Sequence, residues 1–182
     1  MEFELEYVEN GKYFNILNKW EIDPSVERLP YYDRKSKRIV ILRKNPIPDY
    51  FIESLTEIHH DGMPSEKDKD RGHLIAQSFK EFLLTKDELS SFNNEVNIFF
   101  GRQNKANITP QSPASNRNSK DLTGQAKLEL QISDYLKKSI DGKVYFEIEE
   151  LTIDTQGLGR RIYIHWFKEE KCDNHIFIPD RR

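Results

Sequence analysis

The chain has 182 residues, 36% of them hydrophobic, with one cysteine and a net charge of −3 at pH 7. That is enough apolar content for one buried core, and no Gly/Ser- or Pro-rich linker divides it, so residues 1–182 are expected to form a single domain. The lone Cys172 excludes an intramolecular disulfide, and the slight acidity excludes a protein that coats nucleic acid through bulk charge alone.

In chain order, Phe3, Leu5 and Tyr7 alternate with glutamates, Asn10-Gly11 supplies a two-residue turn, and Lys12 to Leu17 reads as the returning strand of a hairpin. The acidic start lacks the basic residues and apolar run of a secretory signal. No apolar stretch is long enough to span a bilayer, so the expectation is a soluble chain without membrane contact, cytoplasmic or exported by a leaderless or specialised route. Arg38 to Arg43 is a mostly apolar strand that ends before Pro46 and Pro48. A polar loop follows through Asp61-Gly62 to the charged run Lys67-Asp68-Lys69-Asp70-Arg71, one of two basic clusters; the other, Arg34-Lys35-Ser36-Lys37-Arg38, reads as a solvated turn.

Residues 74 to 82 mix apolar and polar positions at roughly helical spacing, and Thr85 with Glu88 has the capping-box pattern of a further short helix. Asn97 to Phe100 reads as a strand, and Pro110 and Pro113 prevent one continuous helix after it. Leu128, Ile132, Tyr135, Leu136 and Ile140 recur at spacings of three and four, the stripe of an amphipathic helix ending near Asp141-Gly142. Strands are predicted at Val144 to Ile148, Arg160 to Phe167 and Asn174 to Pro179, with Gly157 and Gly159 in the turn between the first two. Strands at both ends and helices between them give an α+β domain on a mostly antiparallel sheet.

Two polar blocks stand out. Asp70-Arg71-Gly72-His73 is followed by Asn107-Ile108-Thr109-Pro110-Gln111 and then Asn116, with Asn107 at 107 − 73 = 34 positions after His73. These blocks resemble the DNA/RNA non-specific endonucleases, a branch of the ββα-metal (His-Me finger) nucleases. The segments Asn10 to Phe14 and Asn174 to Pro179 further resemble the ends of the streptococcal-type surface nucleases in that family. The resemblance implies a ββα-metal finger in which a strand and loop present His73 against a helix presenting Asn116. It also implies one Mg2+ ion, for which Mn2+ can substitute, and DNA and RNA as substrates.

Cleavage of a phosphodiester requires an activated water, neutralisation of charge on the phosphate, and stabilisation of the leaving oxygen. Histidine near its ordinary pKa of about 6.5 is mostly neutral at pH 7 and suits the first task, so His73 is the candidate general base. His59, His60, His165 and His175 carry no such motif and read as structural or surface residues. Asn116, nine positions after Asn107, falls where the family has its metal ligand, with Asn118 as its rival. One amide oxygen is sufficient protein ligation for a cation that keeps its waters.

Glu129 follows Thr123-Gly124-Gln125, a stretch similar to that before the family's outer-shell glutamate; the alternative is an exposed residue on the amphipathic helix. Asn107 and Gln111 are expected to hold the motif loop and reach the substrate backbone, and Arg71 to contact phosphate or pair with Asp70. The phosphate-steadying arginine that the resemblance implies falls at Arg43, 73 − 30, with Arg34 and Arg38 competing for the role. Two other readings stand beside the enzyme. One is an inert nucleic-acid-binding module, disfavoured by the absence of a basic excess; the other is a nuclease toxin domain paired with an inhibitor or immunity protein.

Overall fold

The structure, a computed structural model, describes residues 5–8, 13–28, 32–34, 37–56, 70–101, 104, 106–111, 124–153, 156–167 and 172–180. Seven strands form one sheet: β1 (Leu5–Val8), β2 (Tyr13–Ile16), β3 (Tyr32–Arg34), β4 (Lys37–Arg43), β7 (Lys143–Ile153), β8 (Gln156–Trp166) and β9 (Asn174–Pro179). Their order is β1-β2-β9-β8-β7-β4-β3, and every pairing is antiparallel. A separate two-stranded ribbon joins β5 (Asp70–His73) to β6 (Ile108–Gln111). The helices α1 (Ile52–Thr56), α2 (Lys86–Ser91), α3 (Asn93–Phe99) and α4 (Gln125–Lys138), with a 3-10 helix over Gln77–Phe82, lie between the outer parts of the sheet in sequence. The fold is therefore α+β on an antiparallel sheet.

Strand alternation divides the sheet into two chemically different faces. Val40 and Leu42 of β4, Phe146 and Ile148 of β7 and Ile162 and Ile164 of β8 are buried in the main core, together with Phe79, Phe99, Leu128, Ile132 and Leu136 from the helical layer. Each such side chain contributes roughly 1.5–3 kcal/mol when fully removed from water. Two charged residues, Arg38 and Arg160, occupy inward positions on this same face, 2% and 3% exposed.

The opposite face has a smaller apolar cluster of Ile39, Ile41, Tyr145 and Tyr163, covered by Trp20, Ile22 and Val26. Beside it lies a buried polar row. Arg161 donates from Nε to Glu149 (3.1 Å), from one terminal nitrogen to Glu147, and from the other to His175 Nε2 (2.9 Å). A guanidinium has no acceptor, so His175 Nε2 is the unprotonated nitrogen and Nδ1–H donates to the Asn18 carbonyl at 2.7 Å. The Trp20 ring closes over His175 edge-on, 4.9 Å between centroids.

Several sequence expectations are met in detail. The β1–β2 register, Val8 opposite Tyr13, centres the connection on Asn10-Gly11, which lie outside the described residues. Both halves of the Thr85/Glu88 capping box are present. The amphipathic helix is α4, with Leu128, Ile132 and Leu136 buried.

Other expectations are corrected. Asn97 to Phe100 is not a strand: Asn97 to Phe99 complete α3 and Phe100 caps it, with Val96, Phe99 and Phe100 buried at helical spacing and Phe99 edge-on against Phe51 at 5.3 Å. The helix after His73 is a 3-10 turn in which Phe79 and Phe82, three residues apart, both face the core. Ile140 does not extend the apolar stripe, because α4 ends at Lys138 and leaves Ile140 91% exposed. Gly157 and Gly159 lie within β8 and not in the turn; Leu151 pairs with Gly159 and Thr152 with Gly157, a bulge. At Gly159 (φ 152°) a Cβ would stand 2.3 Å from the Ile178 carbonyl oxygen, so only glycine admits this approach.

Burial pushes His175 down from 6.5 to about 4, with the bond to Asn18 opposing and the Arg161 charge adding to the effect. The unfolded chain therefore takes up a proton here before the folded one, and the stability from neutral His175 is lost as pH falls from 6.5 through 4. The drop in Tm between pH 7 and pH 5 should be smaller in His175→Gln than in the parent. Equal drops measured by thermal melts would remove His175 as the source of acid lability.

Candidate active site

The two polar blocks are brought together strand against strand. Asp70 pairs with Gln111, Arg71 with Pro110, Gly72 with Thr109, and His73 with Ile108. The ribbon continues into a set of bonds that fixes the chain after His73. The Leu74 N–H donates to the Asn107 carbonyl (2.8 Å), the Ile75 N–H to Asn107 Oδ1 (2.8 Å), and Asn107 Nδ2 donates to the Ile75 carbonyl (3.0 Å). Asn107 is fully buried, so these bonds satisfy backbone groups that water cannot reach. Asn104 acts one turn earlier, donating to the Phe99 carbonyl (2.9 Å) and accepting from the Ala106 N–H (3.1 Å).

The His73 ring is half-buried, with Nε2 2.8 Å from the Phe100 carbonyl oxygen. A carbonyl only accepts, so Nε2 carries the proton, and in the neutral ring the basic lone pair belongs to Nδ1. Fixing one nitrogen on a backbone carbonyl sets both the tautomer and the ring's angle. This is the preparation a general base needs.

Beneath the ribbon sits Arg160 of β8. One terminal nitrogen donates to the His73 carbonyl (2.8 Å) and to Gln125 Oε1 (2.8 Å); the other donates to the Gly72 carbonyl (3.1 Å). Gln125, the first residue of α4, donates from Nε2 to the same His73 carbonyl (2.8 Å) and to Glu129 Oε2 (3.1 Å). Glu129 is therefore two hydrogen bonds from the His73 backbone. Burial pushes its carboxyl up from 4.5 to about 7, against the Gln125 hydrogen bond and the Arg160 charge, which favour ionisation. Its side chain keeps partial access to solvent.

Of the residues expected from the sequence, His73, Asn107 and Glu129 share this region, and Asn107 serves it through backbone bonds to Ile75. Arg71 and Gln111 are placed by their strand pairings. Asn116 and Asn118 lie outside the described residues. Arg43 is not brought to the site. It alternates with Ile39 and Ile41 on the opposite sheet face, and its guanidinium reaches the Val26 carbonyl at 3.5 Å. A register counted back from His73 cannot anticipate this, because one residue along a strand changes the face. Arg38 is on the correct face, with Nε on the Ala106 carbonyl at 3.0 Å, one residue before Asn107.

The sequence reading missed Arg160 altogether and saw Gln125 only as part of a pattern. A signal was available: Arg160 alternates with Ile162, Ile164 and Trp166, so it occupies a core-facing strand position where a charge requires an explanation. Among the described residues, no group of three or more His, Cys, Asp or Glu side chains could cage a metal ion. A cavity of about 750 Å³ lies between α4 and the β8–β9 end, lined by Tyr135, Lys138, Trp166 and Cys172, and includes none of the motif residues. No family model and no curated protein matches the sequence.

Asn107→Ala leaves the buried N–H and carbonyl of Ile75 without their partners and should cost about 2–4 kcal/mol. Tm should fall by roughly 5–15 °C. A Tm for Asn107→Ala within 1 °C of the parent, about 0.3 kcal/mol, would show that the bonds to Ile75 contribute nothing.

A second expectation follows from Glu129. Its folded pKa lies above the ordinary carboxylate value, so the folded state holds the proton longer, and stability is lost as pH rises from 4.5 through 7. In chelating buffer, Glu129→Gln should melt higher than the parent at pH 8 and close to it at pH 5. A lower melt at pH 8 would contradict the raised pKa.

Proposed function

We propose that this chain is a Mg2+-dependent endonuclease that hydrolyses phosphodiester bonds of DNA and RNA with little sequence preference. The observation that carries the reading is the joining of the two polar blocks in one ribbon, with His73 Nε2 held on the Phe100 carbonyl. A ring held in this way suits proton abstraction at Nδ1. The motifs address phosphate and backbone, which positions a nucleic acid without reading its bases. No helix among the described residues is long and apolar enough to cross a membrane.

The donors this reading assigns, an amide oxygen and a carboxyl, are of the kind a hard divalent cation takes. Such an ion takes oxygen ligands and keeps several waters, so a cage of protein carboxylates is not required. Glu129 offers a carboxyl held near neutrality at about 7, and a cation nearby favours its charged form. Asn116 is the residue that would ligate the ion directly, with Glu129 acting through water. When bound, Mg2+ neutralises the charge that accumulates on the phosphate.

His73 takes one proton from a water molecule at Nδ1 while Nε2–H stays on the Phe100 carbonyl. The new O–P bond forms in line with the departing oxygen, and the P–O bond on the far side breaks with its electron pair going to that oxygen. Solvent supplies the proton that neutralises the leaving group. Arg71, next to the base on β5, is the residue assigned to the substrate phosphate, and Gln111 on β6 to the neighbouring backbone. Arg43 is left out of this assignment because it lies on the other face of the sheet.

Purified protein incubated with supercoiled plasmid and with total RNA should cleave both in Mg2+ and neither in excess chelator. Added salt should slow cleavage by displacing phosphate contacts. His73→Ala should lower turnover by roughly 10²- to 10⁴-fold without loss of fold. Asn116→Ala should raise the Mg2+ requirement more than Asn118→Ala does. Parental cleavage that persists in chelator would overturn the metal dependence; a folded His73→Ala protein that cuts at the parental rate would overturn the base.

A further inference from the structure

We propose that Arg160, with Gln125 as its bridge, is a positioning residue for the site: it holds the His73 backbone, and hence the base, at a fixed distance from Glu129. The proposal rests on the nuclease reading and extends it to two residues that are remote from the motifs, 160 − 73 = 87 positions away in the case of Arg160. Its basis is the shared acceptor. The His73 carbonyl oxygen receives both the Arg160 guanidinium and the Gln125 amide at 2.8 Å, and the same amide nitrogen also donates to Glu129 Oε2 at 3.1 Å. Gln125 Oε1 closes the set by accepting from Arg160 at 2.8 Å.

Energetics favour a specific role over generic packing. A guanidinium 3% exposed among core residues is costly unless its donors are satisfied, and an apolar residue of similar volume fills such a position at least as well. Glu150 lies 3.9 Å from its Nε, beyond hydrogen-bond range, whereas short contacts go to the ribbon and to Gln125. The planar fork is what allows one side chain to span the carbonyls of Gly72 and His73 at once, which a lysine cannot reproduce.

The consequence for the base is mechanical. The His73 ring meets the Phe100 carbonyl at 2.8 Å, and a backbone shift of about 1 Å at residues 72 and 73 would break that contact. Misplacement of this size costs on the order of 10²-fold in rate.

The test uses Arg160→Lys and Gln125→Leu, each checked for fold by circular dichroism, with two readouts. The first is the nitrogen resonances of the His73 ring, assigned by their loss in His73→Ala and independent of any cleavage. The parent should show the Nε2–H tautomer, and both variants a mixture of tautomers; ring signals unchanged in both variants would overturn the proposal. The second is single-turnover plasmid cleavage, which should fall about 10- to 100-fold in each variant with KM unchanged.

Arg160→Lys is then placed in His73→Ala supplied with free imidazole, where the base no longer depends on the His73 backbone. There the added loss should be under about twofold; a loss equal to that in the parental background would mean that Arg160 acts on substrate or metal, and would overturn the positioning role. If the parental protein cuts neither plasmid nor RNA, the nuclease reading fails, and the ring resonances alone decide whether Arg160 and Gln125 position His73.

Discussion

The contact between the buried Arg160 guanidinium and the carbonyls of Gly72 and His73 ties two pieces of structure that share no strand pairing, the seven-stranded sheet and the β5–β6 ribbon. A two-stranded ribbon is marginal by itself. It gains a fixed place because Arg38 and Arg160, on adjacent parts of one sheet face, bind the backbone at Ala106 and at Gly72–His73 respectively, and because Asn107 locks the chain that leaves His73. The geometry of His73 is thus inherited from the sheet through hydrogen bonds to backbone carbonyls.

The remainder of the fold provides that platform. The helical layer and the sheet share one apolar core, and α4 contributes twice: Leu128, Ile132 and Leu136 point into the core while Gln125 and Glu129, one turn apart, reach the site. The other sheet face has a polar interior built on Arg161, Glu147, Glu149 and His175, closed by Trp20. The two faces respond to pH with opposite signs. Acid charges His175 and weakens the fold, whereas acid neutralises Glu129 and relieves it. A carboxyl that destabilises its own fold when ionised is the kind of strain found where chemistry requires it.

Much of the architecture could be read from residues with a clear period. Alternation located β1 and β2, short apolar runs bounded by turn residues located β4 and β7 to β9, which are buried on both faces, and the three-four spacing located α4. The stretch Asn97 to Phe100 misled because four residues cannot distinguish a strand from the end of a helix whose apolar partners, Phe92 and Val96, lie further back. In the site, the local motifs located His73 and Asn107 because their partners are near in sequence or across one strand pair. Arg160 was hidden by its 87-residue separation, and Arg43 was chosen by counting residues where the deciding fact is which face of β4 a side chain occupies.

The claim that His73 abstracts a proton is tested most directly by the pH dependence of single-turnover plasmid cleavage at saturating Mg2+. A histidine base predicts a rate that rises about tenfold per pH unit in acid and levels off in the histidine range near 6.5. It also predicts that this limb disappears in His73→Ala. A rate that is flat from pH 5 to pH 8, or an acid limb that survives the substitution unchanged, would contradict the account.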